Sequence, residues 1–270
     1  YQQIGELKGL VEVLQKMASV LQHQGKAKDA LVLLEDALHL AEENGFNSMK
    51  AHLYLALGEV YESQSNHKKA LEVYQRSLEI NTVLNDRFLE ASILGRLGNV
   101  YHNTGAGSEE ALKYHKEALR VTIEIGDRRS EGVYLGSLGI VYKTLGQLEE
   151  ALESYTEALR IAKEIGDRRS EGRHLGNIGN VYRELGQLEE ALKSYTEALR
   201  ITRDIGERRS EGVNLGNLGI VYKTLGQNEE ALIYLLQAIE IAREIDDKIG
   251  EGVNLGNLGE ILLRLNRVEE

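Results

Sequence analysis

Cysteine and proline are absent from the 270 residues. Without cysteine there are no disulfides, no thiolate metal sites and no cysteine nucleophile, so stability rests on packing alone. Proline is the residue that helix interiors tolerate least, and its absence predicts long helices with short joints. No apolar run approaches the roughly 18 to 20 residues that a membrane span requires, and no basic-then-apolar leader opens the chain. A soluble, cytoplasmic protein is expected, with no membrane partner. The chain carries a net charge of −11. Nucleic-acid binders usually carry a net basic patch instead, so no nucleic-acid partner is expected. Tyr1 stands where an initiator methionine would be, so the sequence reads as an excerpt or a processed form.

Signs of catalysis are equally scarce. His23, His39, His52, His67, His102, His115 and His174 recur at no metal-ligand spacing, and no His-Glu-x-x-His occurs. No serine sits in a nucleophile elbow. The carboxylates fall on amphipathic helices, where they form the ordinary solvated face. An enzyme is not expected, and neither is a cofactor or a metal.

What the sequence does have is glycine in a regular pattern. "GVNLGNLG" at 212–219 returns at 252–259. A phosphate-binding loop needs its glycines between a strand and a helix start. No strand pattern precedes either copy, so the glycines are expected inside a helix, where they let other helices approach closely. "TGAGS" at 104–108 lies in a loop and is the better-placed anion candidate; the competing reading is a one-residue insertion with Ser108 as helix N-cap.

Gly146, Gly186 and Gly226 fall 40 residues apart, as do Tyr142, Tyr182 and Tyr222. Residues 146–172 and 186–212 differ at only five of 27 places. This period defines approximate repeats 1–45, 46–85, 86–126, 127–166, 167–206, 207–246 and 247–270, the last incomplete, in a single solenoid over 1–270. Within a repeat, Leu148, Ala151, Leu152, Tyr155, Ala158, Leu159, Ala162 and Ile165 follow the spacing of one helical face. Gly166 is placed to end this second helix, and Asp167 to cap the next. Leu175, Ile178, Gly179, Tyr182 and Leu185 form the buried stripe of that following helix. Each repeat is therefore an antiparallel pair, helix A then helix B. Neither helix can bury its face alone, so the pairs must stack.

Leu215, Leu218, Gly219, Tyr222, Gly226, Ala231, Leu235 and Ala238 give the order of leucine, Leu-Gly, tyrosine, glycine and alanines that resembles the tetratricopeptide repeat. The unit here is longer than the usual one and lacks its terminal proline. The longer unit, with its "LGNLG" and "IGDR" stretches, is similar to the variant in kinesin light chains, Pins-type polarity adaptors, and bacterial signalling ATPases and caspase-like proteases. The resemblance implies an all-α fold, a right-handed superhelical α-solenoid of antiparallel helix pairs. It further implies a scaffold that binds a protein or peptide in the concave groove lined by helix A. The alternative it offers is the ligand-sensing region of a larger signalling ATPase or caspase-like protease.

On helix A of the fourth to sixth repeats, most divergence falls where the resemblance places ligand contacts. The expected groove residues are Arg96, Asn99, Tyr134, Ser137, Arg173, Asn177, Asn180, Arg183, Asn214, Asn217, Lys223 and Asn257. A ladder of carboxamides suits a peptide backbone, and the arginines suit acidic side chains on the ligand. The chaperone-type carboxylate clamp is absent, because glycines (Gly95, Gly136, Gly176, Gly216, Gly256) hold its lysine position. Met17, Ala18 and Leu55 depart from the pattern, which places the ligand over the third to sixth repeats. Arg128, Arg129, Arg168, Arg169, Arg208 and Arg209 line one edge and are expected to pair with neighbouring carboxylates. The last repeat, lacking its helix B, is expected to expose Leu255, Leu258 and Leu262 and to allow end-to-end self-association.

Overall fold

A computed structural model describes residues 2–105 and 107–265. They form α1 (Gln2–His23), α2 (Ala27–Glu43), α3 (Asn47–Ser63), α4 (His67–Leu84), α5 (Arg87–Asn103), α6 (Ser108–Ile125), α7 (Arg128–Thr144), α8 (Leu148–Glu164), α9 (Arg168–Glu184), α10 (Leu188–Asp204), α11 (Arg208–Thr224), α12 (Asn228–Glu244) and α13 (Lys248–Arg264). No strand occurs among the described residues. The chain divides into two compact units, Tyr1–Ser130 and Glu131–Glu270. In each, consecutive helices pack together and the odd-numbered ones also meet directly: α1 with α3 and α3 with α5 in the first, α9 with α11 and α11 with α13 in the second.

The joints follow from backbone chemistry. Gly166 has φ +71°, the left-handed conformation that ends α8 without a Cβ penalty. The Asp167 amide then donates to the Ala162 carbonyl at 2.9 Å, and the Asp167 carboxylate accepts from the Ser170 amide at 3.1 Å to cap α9. In the "TGAGS" segment, residue 106 lies outside the described residues. There the N-cap of α6 is Gly107, without a side-chain cap, and Ser108 is the first helical residue. The expected serine cap is thus not made.

Helical glycines mark the closest approaches. A Cβ at Gly139 would lie 2.7 Å from Cε1 of Tyr155, and one at Gly179 equally close to Tyr195. Gly219 meets Leu235 in the same way. These contacts seat helix A on the helix B of its own repeat. A second column faces the next repeat: Gly136 lies under His174, Gly176 under Asn214 and Gly216 under Asn254. Each glycine costs about 1 kcal/mol of helix propensity. Complete burial of the facing tyrosine or leucine, worth about 1.5–3 kcal/mol, offsets it. Ile161, Ile201 and Ile241 add further contacts within each repeat, beneath Gly132, Gly172 and Gly212 of its helix A.

At the last helix, Leu255 is exposed, but Leu258 and Leu262 are partly buried against Leu232 and Leu235 of α12. They are not the open face the sequence suggested.

Candidate partner-binding face

Because α9, α11 and α13 adjoin, equivalent positions on them form rows from one repeat to the next. Asn177, Asn217 and Asn257 occupy one such row, and all three are half-buried. The side chains of Asn177 and Asn217 make no hydrogen bond among the described residues, so both keep free donors and an acceptor. Asn257 is engaged: its Nδ2 donates to the Val253 carbonyl at 3.0 Å, and its Oδ1 accepts from Lys223 Nζ at 2.6 Å. Lys223 also pairs with Glu260 at 2.9 Å, so its charge is neutralised within the fold.

Two other expected contacts serve the interior. Asn180 Oδ1 accepts from the Tyr195 hydroxyl at 2.8 Å, a phenol whose pKa burial pushes up to about 12. Asn214 is only 4% exposed, held against Gly176, and is not on an open surface. It shares a column with His174, which is 2% exposed. Burial, with the Arg173 guanidinium adding to it, lowers the His174 pKa to about 4. The change from His174 to Asn214 therefore reflects packing between repeats. The signal for this was in the sequence, in Gly136 and Gly176 of the preceding repeats, which make room for these two side chains.

Arg173 and Arg183 remain available. Neither has a carboxylate at ion-pair distance among the described residues. For Arg183 the cause is legible. Lys143, its counterpart one repeat earlier, pairs with Glu184 at 2.9 Å, and Thr224 stands where that glutamate would be. Tyr134 is half-buried, and the Ser137 hydroxyl donates back to the Val133 carbonyl at 3.1 Å. In the first unit, Asn99 is half-buried and Arg96 is held by Glu59 and Glu62.

The arginine edge is largely paired within the fold, as expected. Arg168 meets the buried Glu171, and Arg208 meets Glu211 and Glu244. Arg169 reaches Glu207 at 3.5 Å, and Arg128 and Arg129 have interactions of their own. Arg209 departs from the pattern and has no carboxylate partner among the described residues. Sequence reading also missed an apolar cleft of about 170 Å³ between α11 and α13, floored by α12. No periodic signal announces it, because it arises from small residues on three helices. No group of three or more potential metal ligands occurs among the described residues. None of their helices is long and apolar enough to cross a membrane.

The tetratricopeptide repeat family model matches residues 10–82, 89–164, 170–244 and 211–270. The chain is a tetratricopeptide repeat protein. Comparison with curated protein sequences gives no match. Among solved structures, the fold is similar to that of a signal transduction ATPase with numerous domains from Pyrococcus horikoshii, which carries a tetratricopeptide repeat sensor. The TM-score is 0.84 at 22% identity, over 97% of this chain and 40% of that one. The chain thus spans well under half the length of that ATPase. It is also similar to BtubC from P. vanneervenii, with TM-score 0.71 and 21% identity over 87% of this chain and 92% of that one. Aspartyl phosphate phosphatase F from Bacillus subtilis gives TM-score 0.76 and 15% identity over 85% and 61%. At these identities the tetratricopeptide repeat protein shares a fold with all three, an α-solenoid.

Proposed function

We propose that this protein is a non-catalytic interaction module that holds a peptide segment of a partner protein against the odd-numbered helices of its second unit. The observation that carries this reading is the pair Asn177 and Asn217. They stand one repeat apart on adjoining helices, and their carboxamides are unused by the fold. A carboxamide can donate to a backbone carbonyl and accept from a backbone amide, which suits an extended or helical peptide. Arg173 and Arg183, without partners of their own, favour acidic side chains on that segment. The family is generally one of protein-interaction modules, which agrees with the reading.

A second reading has one specific support. The ATPase that this fold resembles carries its repeats as a sensor, and the present chain spans 40% of that protein. In this version the same face reads a ligand on behalf of a larger signalling chain.

Selection of displayed random peptides on the immobilised protein tests both. Selected peptides are expected to lose binding to an Asn177→Ala/Asn217→Ala variant whose circular dichroism and melting match the wild type. Undiminished binding to that variant would remove the carboxamide pair from the account.

A further inference from the structure

The cleft between α11 and α13 sits beside Asn217 and is built unlike its counterpart one repeat earlier. Its floor is Ala238, Ile241, Ala242 and Ile245 of α12, and Val213 and Val253 stand at its mouth. Five lining positions differ from those 40 residues before, and each change removes bulk, polarity or both. Arg173 gives way to Val213, Asn180 to Ile220, Thr202 to Ala242, Glu207 to Asp247 and Ser210 to Gly250. These changes converge on one space, while nine other lining positions are the same in both repeats.

The Glu207-to-Asp247 change has an electrostatic effect as well. Glu207 reaches Arg169 of the preceding repeat at 3.5 Å. Both carboxylates cap their own helix, Glu207 accepting from the Ser210 amide at 2.9 Å and Asp247 from the Gly250 amide at 3.0 Å, but Asp247 is one methylene shorter and makes no second contact to an arginine among the described residues. Arg209, the counterpart of Arg169, is left at the cleft with no carboxylate partner among the described residues. An apolar socket, a free carboxamide and an unpaired guanidinium therefore meet in one place.

We propose that this cleft takes one aliphatic side chain, of about leucine size, from the bound peptide segment, with an acidic residue next to it at Arg209. The inference rests on the peptide-binding reading above and adds to it the composition of the segment. Size supports it: a cavity of about 150 Å³ accommodates one benzene molecule, and this cleft is about 170 Å³. The free amide of Asn217 at the rim favours a peptide, whose backbone it can bond, over a free apolar molecule. The unpaired Arg209 supplies the charge complementarity for the acidic neighbour.

The test uses the full chain with carbon-13-labelled isoleucine methyl groups and the capped peptide Ac-Gly-Glu-Leu-Glu-Gly-NH2, acidic on both sides because chain direction is not fixed. The expected result is a saturable shift of the Ile220, Ile241 and Ile245 methyl signals. Replacing the leucine by alanine should weaken binding by at least about tenfold, from the apolar area lost. Replacing both glutamates by lysine should weaken it as well. The variant Ala242→Thr/Asp247→Glu/Gly250→Ser restores the residues of the preceding repeat, so it keeps the fold and should lose the shifts. Shifts that survive in this variant, or that are the same for the alanine peptide, would overturn the proposal. So would equal saturation by isoamyl alcohol, which would make the cleft a small-molecule site. If displayed peptides depend on Asn177 and Asn217 while these three methyl groups stay unmoved, the cleft assignment fails and the wider reading stands. If the methyl groups respond as expected but no selected peptide depends on those asparagines, the carboxamide reading alone fails.

Discussion

Gly139 touches the ring of Tyr155, and the tyrosine is fully buried there. A methyl group at that glycine has nowhere to go, so Gly139→Ala should destabilise the protein by about 1–3 kcal/mol, the usual cost of overpacking. Gly256 is equally helical, but a Cβ added to it would meet nothing within 4 Å. Gly256→Ala should therefore stabilise by up to about 1 kcal/mol through helix propensity. Chemical denaturation of both variants checks the pair. The sequence showed that these glycines belong to helices, but their two roles separate only when the facing side chain is known. His174 makes the same point with a pH signature. Its folded pKa is about 4 against an ordinary 6.5, so the unfolded chain takes up a proton first as pH falls. Stability is then lost between about pH 6.5 and 4, on the order of 3 kcal/mol from this group. Asn214 and Asn254 occupy the same position in later repeats, so His174→Asn should fold normally. Melting temperatures across that pH range should fall less steeply for the variant than for the wild type.

At the scale of the helix, the period and the caps were legible because they are local. Gly166 and Asp167 end one helix and start the next as their chemistry requires. Asp167→Ala should cost about 1 kcal/mol, measurable as a lowered denaturation midpoint. Ile161 was not legible: it lies beside the expected stripe of α8, yet is fully buried under Gly132 of α7. The spacing marks only the middle of the apolar face, and Ile161 sits on its flank, buried because the missing side chain of Gly132 lets the partner helix come close. Ile161→Ala should therefore cost about 2–5 kcal/mol, more than Leu159→Ala, because Leu159 is only partly buried. The groove columns failed for another reason: what they meet lies in the neighbouring repeat. Asn214 and Asn177 look alike in sequence, but one fills the space above a glycine of the preceding repeat and the other faces outward.

Across the whole molecule, the fold follows from a repeat that cannot bury its faces alone, and self-comparison of the sequence was enough to find it. The identity of a partner is a different kind of information, carried by the few side chains that the fold leaves unused. Pairing within the structure is what sorts them: Lys223, Asn180 and Asn257 are engaged, while Asn177, Asn217, Arg173 and Arg183 are not. The most direct test is the affinity of a peptide selected on the wild-type protein, measured again on Asn177→Ala/Asn217→Ala by calorimetry with folding verified. Loss of two backbone-directed hydrogen bonds predicts a drop of at least about tenfold with an unchanged melting temperature. An unchanged affinity would contradict the claim that these carboxamides hold the partner.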